Sequence, residues 1–199
     1  PAIESIEAVG SLRPVDPGRD GTLPAMVAAT RILAREAGDR VAILAEADQG
    51  PFSLAAQIVG IEAFLIALME PDLEPLVRRL LEYTTEQVIA YGKALTDAGA
   101  HLTMMGESIA GPDVCAPDTY RRWAFPYERE VVAAIAAHGG TMGIHVCGDA
   151  TRIIDDLVAT EARFLQVDHK IDRARCKVAA AGRTTLIGTV DPSETLTRG

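Results

Sequence analysis

The tetrapeptide His145-Val146-Cys147-Gly148 closes a run that begins at Thr141. Side chains alternate across a strand, so residues two apart share a face. Met142, Ile144 and Val146 then form an apolar face, while Thr141, Gly143, His145 and Cys147 take the other. An imidazole and a thiol thereby sit side by side at the carboxyl end of a buried strand. Imidazole nitrogen and thiolate sulfur are zinc ligands, and a catalytic zinc site uses three protein ligands and keeps one position open. His145 and Cys147 supply two of those three. The competing reading is structural, because Cys and Val are ordinary occupants of buried strands and His-x-Cys alone is a short pattern that needs context.

That context is an alternation of strands and helices. Thr22–Ala37 reads as a helix, Val41–Ala47 as a buried strand, and Ser53 to about Met69 as a helix. Apolar residues near helical spacing predict a long helix from Asp72 to Ala98, opened by Pro71-Asp72 and stopped by Gly99. His101–Gly106 is the next strand, Pro117 to about His138 a helix, and Thr141–Cys147 the strand already described. Thr151–Thr160 and Asp172–Ala181 read as helices, Phe164–Asp168 and Thr184–Val190 as strands. Asp191-Pro192-Ser193 then offers helix-start chemistry.

Repeated strand–helix–strand units imply parallel strands joined by right-handed crossovers. A doubly wound nucleotide fold would carry a Gly-x-Gly-x-x-Gly turn or a phosphate loop, and the sequence has neither. The expected fold is therefore α/β, a partial (β/α)8 TIM barrel with about five of the eight strands, read as a single domain over residues 1–199. Barrel enzymes place catalytic residues at the carboxyl ends of strands. Those positions here hold Glu46 and Asp48, Glu107, His145 with Cys147, Asp168 with His169, and Asp191.

At 199 residues, 48% of them hydrophobic, the chain can bury one core. Its net charge of −9 argues against a nucleic-acid or anionic-membrane partner. No apolar run reaches the roughly 20 residues of a membrane span, and no signal-peptide pattern is present. Three cysteines without framework spacing suit a reducing compartment, so the expected address is cytoplasmic. The start at Pro1, and the end at Gly199 just after a strand–turn–helix start, read as those of a fragment.

Several stretches resemble the uroporphyrinogen decarboxylase superfamily, specifically its zinc-dependent, corrinoid-linked methyltransferase branch, such as the methylcobamide:coenzyme M methyltransferases. Gly50-Pro51-Phe52-Ser53-Leu54-Ala55 is similar to the family's Gly-Pro-Phe-Thr-Leu-Ala turn, and Asp97-Ala98-Gly99-Ala100 to its Glu-Ala-Gly-Ala-Asp strand entry. Pro117, Tyr120 and Phe125-Pro126-Tyr127 resemble its Ser-Pro…Phe…Pro-Tyr helix. His145-Val146-Cys147-Gly148 matches the His-x-Cys-Gly zinc motif that selects the methyltransferase branch, and Gly188-Thr189-Val190-Asp191-Pro192 the Gly-Asn-Val-Asp-Pro strand end.

The resemblance implies a Zn2+ cofactor on His145 and Cys147, with a third Cys ligand outside this chain. Cys115 and Cys176 are weaker candidates for that place, Cys176 because it falls in a helix. It further implies a methylcobamide donor carried on a corrinoid protein partner, and a small thiol or folate-type acceptor. Glu107, Asp168 and Asp191 are expected to line the mouth, with Glu107 or Asp168 fixing the tautomer of His145. The dull rival for Glu107 and Asp191 is capping or satisfying loop amides. His169 reads as a solvent-side loop residue, His101 and His138 as structural, Asp113 and Asp118 as turn or cap residues.

Two other functions stay open at this stage. One is a cofactor-independent decarboxylase, whose aspartate in the family's first strand lies outside this sequence. The other is a non-catalytic barrel fragment acting as a folding or partner-binding module. Five strands of an open barrel leave two strand edges, which predicts a homo-oligomer or a bound partner.

Overall fold

The computed structural model describes residues 2–198. After a 3-10 segment at Ile6–Ser11, which the sequence pattern does not announce, the elements run α1 (Leu23–Ala37), β1 (Leu44–Gln49), α2 (Pro51–Val59), α3 (Ile61–Ala67) and α4 (Glu74–Asp97). They continue with β2 (Leu102–Gly106), α5 (Pro117–Trp123), α6 (Phe125–Ala137), β3 (Met142–Val146), α7 (Ile154–Ala159), β4 (Phe164–Val167), α8 (Arg173–Ala180), β5 (Thr185–Gly188) and α9 (Thr195–Arg198). All five strands are parallel, in the spatial order β1-β2-β3-β4-β5. A doubly wound sheet reverses its order at a switch point; this one never does, which is how a barrel is wound. The fold is the expected partial barrel.

Among the boundaries that differ from the sequence reading, three have a clear local reason. The first strand starts at Leu44 because the amides of Arg40 and Val41 bond back to the Ala37 carbonyl, spending the apolar Val41 on the turn after α1. The helix read from Ser53 to Met69 breaks at Gly60, whose φ of +106° no helix can contain. The helix read from Pro117 to His138 breaks at Ala124. Pro126 has no amide hydrogen, so it is placed in the first turn of a new helix.

The sheet has two unlike faces. Met105, Ile144 and Leu165 lie under the helices, at 0–1% exposure. The opposite face is the open barrel interior. Register puts Glu46, Met104, Gly143, Phe164 and Thr185 in one row across it, and Gly106, His145, Gln166 and Ile187 in the next. Gly143 is required in its row, because a Cβ there would overlap the ring of Phe164, which crosses the floor below His145. Gly143→Ala should therefore displace that ring and cost about 2 kcal/mol, the middle of the range for overpacking. Thermal or urea denaturation reads the loss, and a wild-type midpoint would show that the ring moves freely.

Candidate functional site

β3 delivers His145 on the open face, and Cys147 follows just beyond the strand end. His145 Nε2 lies 3.1 Å from Cys147 Sγ, so the imidazole and the sulfur converge on one point. Ser108, in the loop after β2, places its Oγ 3.3 Å from the same sulfur. Gly111, in that loop, packs so closely that a Cβ would sit 2.8 Å from the Cys147 carbonyl. Gly148 takes φ +77°, and the Asp113 carboxylate fills the space where a Cβ would go. The glycine of His-x-Cys-Gly is thus a steric requirement of the neighbouring loop as well as a turn residue.

Asp168, after β4, accepts the Gly148 amide on Oδ2 at 3.0 Å and the Lys170 amide on Oδ1 at 3.2 Å. Burial opposes its ionisation, but these amide bonds prevail and hold the carboxyl below its ordinary value. Asp191 accepts the amides of Ser193 and Glu194, at 2.8 and 3.0 Å, and these too hold its carboxyl low. His169 stands between the two carboxylates. Its Nδ1 is 2.6 Å from Asp168 Oδ1, out of line for a hydrogen bond, and its Nε2 is 3.2 Å from Asp191 Oδ2. Read from sequence as a solvent-side residue, His169 in fact links the ends of β4 and β5.

Glu107 is placed elsewhere. It is fully buried, and its carboxylate accepts the Phe52 amide at 3.0 Å, the Ser53 amide at 3.0 Å and the Ser53 hydroxyl at 2.8 Å. These donors open α2, where unsatisfied amides and the helix dipole favour an anion. Burial nevertheless pushes the Glu107 carboxyl up to about 7. Gly50 is what admits it: a Cβ there would overlap the Glu107 carboxylate and its Cγ. Beside this seat lies a second buried carboxyl, Glu128 on α6, which accepts the Tyr120 hydroxyl and leaves Oε1 without a partner. Burial, then the negative charge of Glu107, pushes Glu128 well above its ordinary value.

His145 Nδ1 is buried without a hydrogen-bond partner, so neither Glu107 nor Asp168 fixes its tautomer here. Cys115 Sγ donates to the Ile109 carbonyl at 3.3 Å, and burial pushes that thiol up to about 11. Cys176 is buried in α8, and burial likewise raises its thiol. The described residues contain no group of three His, Cys, Asp or Glu side chains placed to hold a metal ion. The imidazole and sulfur are donor types that suit zinc, but the two alone fall short of the three protein ligands such a site uses. His101 Nδ1 accepts the Ile43 amide and His138 pairs with Asp97, both structural contacts.

Three contributors escape the sequence reading. Gln166, in register beside His145, is recoverable from period two counted along β4. Ser108 lies in a loop with no pattern, and Glu128 looks like any charged helix residue until α6 is packed.

The whole chain, residues 1–199, matches the family model described as uroporphyrinogen decarboxylase (URO-D). A methylcobamide:CoM methyltransferase, MtaA of Methanosarcina barkeri, is 28% identical over 192 residues, 96% of this chain and 55% of that protein. The methylcobamide:CoM methyltransferase MtbA of Methanosarcina mazei is 26% identical over 185 residues, 93% of this chain and 52% of that protein. A uroporphyrinogen decarboxylase of Prochlorococcus marinus is 26% identical over 198 residues, 96% and 54% respectively. The structure of a methyltransferase from Methanosarcina mazei superimposes with a TM-score of 0.88 at 25% identity, covering 98% of this chain and 56% of that one. The chain spans about half the length of the curated relatives it matches.

Proposed function

Because the chain belongs to the uroporphyrinogen decarboxylase family, we propose that it carries the two-ligand half of a zinc site used for methyl transfer from a protein-bound methylcobamide to a thiol or folate-type acceptor. The observation that carries this reading is the meeting of His145 Nε2 and Cys147 Sγ, 3.1 Å apart, at the strand end on the open face. Relatives with methylcobamide:CoM methyltransferase names support the reaction class.

His145 and Cys147 would hold the metal. The chemistry such a metal supplies is acidification, since a thiol coordinated to it gives up its proton and becomes the nucleophile. Ser108 is placed to donate to the Cys147 thiolate, steadying its charge. Asp168 fixes the Gly148 amide and with it the turn on which Cys147 sits. His169 holds the Asp168 and Asp191 carboxylates side by side at the rim. Gln166, neighbouring His145 on the open face, faces any group that enters there. Glu107 takes no part in the chemistry; its carboxylate is enclosed behind the sheet.

The family also holds decarboxylases, and the Prochlorococcus marinus relative keeps that second reading in view. Zinc separates the two. Titration of zinc against a chromophoric chelator is expected to give about one ion per chain. His145→Ala and Cys147→Ser should each weaken binding at least tenfold while far-UV circular dichroism stays unchanged. Equal affinity in both variants would overturn the site, and no zinc uptake by the parent chain even with an added small thiol to supply the missing ligand would favour the decarboxylase reading.

A further inference from the structure

Ser53 lies in the first turn of α2 and is fully buried. A serine inside a helix often bonds a carbonyl of its own preceding turn, but this side chain bonds outside α2. Its hydroxyl proton goes to Glu107 Oε2 at 2.8 Å, and its oxygen accepts the Ile109 amide at 3.1 Å. The Ser53 amide adds a second bond to the same Glu107 oxygen, at 3.0 Å. Glu107 and Ile109 are the two chain neighbours of Ser108. Both flanks of Ser108 are therefore seated on one residue of α2, while the Ser108 hydroxyl stands 3.3 Å from the Cys147 sulfur.

We propose that Ser53 is a positioning residue: it holds the Glu107–Ile109 segment so that the Ser108 hydroxyl reaches the Cys147 sulfur. This rests on the reading of Cys147 as the working sulfur and adds to it a residue on the far side of the sheet. The seat itself is fixed. Thr84, buried on the 24-residue α4, donates its hydroxyl to the Pro51 carbonyl at 2.9 Å, which ties the first turn of α2 to that helix.

The chemistry follows from what Ser108 can do. Once the sulfur has lost its proton it can only accept, so the hydroxyl is the donor. A hydrogen bond to the charged form favours that form, and the thiolate is what attacks and what binds metal. Such bonds weaken steeply when misaligned, so a loop released from Ser53 would lose this one. Ser53 never touches the sulfur; its effect passes through Ser108. Glu107 shares in the seat without sharing in the chemistry, because its carboxylate anchors the residue just before Ser108.

Iodoacetamide labelling of the full chain in the presence of a chelator, read by mass spectrometry, tests the proposal. Cys147 is the exposed thiol, while Cys115 and Cys176 are buried, so labelling of those two reports any loss of fold. A tenfold loss of thiolate slows attack by only about threefold, because the less acidic thiol is the stronger nucleophile. Ser108→Ala and Ser53→Ala should each slow Cys147 labelling by about that factor, and the double variant should be no slower than either. Ser53→Thr and Ser53→Val have one shape and differ by the hydroxyl, so the Ser53→Thr chain should label about threefold faster. A Ser53→Ala or Ser108→Ala rate equal to the parent's, losses that multiply in the double variant, or equal Ser53→Thr and Ser53→Val rates would overturn it. Zinc is absent throughout, so a failed zinc titration leaves this result standing, and failure here leaves the two-ligand site untouched.

Discussion

Gly50→Ala is expected to destabilise the chain by about 4 kcal/mol, a large share of the roughly 5–15 kcal/mol that holds a domain folded. The new methyl group has nowhere to go, because the Glu107 Cγ and carboxylate occupy its place. Overpacking of a rigid core costs about 1–3 kcal/mol. Moving Glu107 also breaks its bonds to the Phe52 amide, the Ser53 amide and the Ser53 hydroxyl. Each hydrogen bond to a charged partner is worth about 1.5–3 kcal/mol, and the orphaned donors stay buried. Urea denaturation measures the loss. In a double-mutant cycle with Glu107→Ala the two losses should fall well short of adding, because one displaces what the other deletes. Full additivity, or a single-variant loss below about 1 kcal/mol, would show that the carboxylate is not seated on Gly50.

Stability should fall by on the order of 3 kcal/mol as pH rises from the ordinary carboxylate range to above 7. Burial raises Glu107 to about 7, and burial with the Glu107 charge raises Glu128 well above its usual value. The folded chain therefore keeps protons that the unfolded chain releases. Folded stability is full below the unfolded carboxyl value and is lost as pH climbs through the folded one, at about 1.4 kcal/mol for each pH unit that separates the two. Asp168, held low, acts with the opposite sign and in the acid, so it leaves this window untouched. Denaturation free energies at pH 5 and pH 8 give the slope. Glu128→Gln removes one of the two protons that the folded chain retains and should flatten it. A parent chain equally stable at both pH values would mean that the two carboxyls titrate as exposed ones do.

The strand carrying His145 and Cys147 is legible because its alternation is strict and one face is wholly apolar. The barrel reading survives because every strand is followed by a helix and no phosphate-binding glycine pattern interrupts them. What sequence conceals is the partner a strand-end side chain meets. Glu107 comes two residues after Met105 on the helix-covered face, while Cys147 comes two after His145 on the open face. Alternation separates the two, yet nothing in the sequence shows that the Glu107 carboxylate is seated on the amides of α2. That seat depends on how α2 is placed against the end of β2, which no local pattern encodes. Glu128 is hidden for a similar reason: helical periodicity allows a charge at that position, and only the packing of α6 against Tyr120 encloses it. The Gly-Pro-Phe-Ser turn is visible as a motif, but its purpose, an anion seat for a residue 57 positions from Gly50, appears only in three dimensions.

The unbroken order of the sheet, each strand beside the one before it in the chain, also bears on how the molecule is made. No connection has to pass over another, and each strand–helix unit closes its contacts on the unit just completed. Loop closure between neighbours is entropically mild, and order can propagate during synthesis from the amino-terminal side, as chains commonly fold on emergence from the ribosome. At every stage the newest strand offers its free edge as the template for the next. The imidazole and the thiol of β3 would then be in place on the nascent chain before Asp168, His169 and Asp191 have been translated.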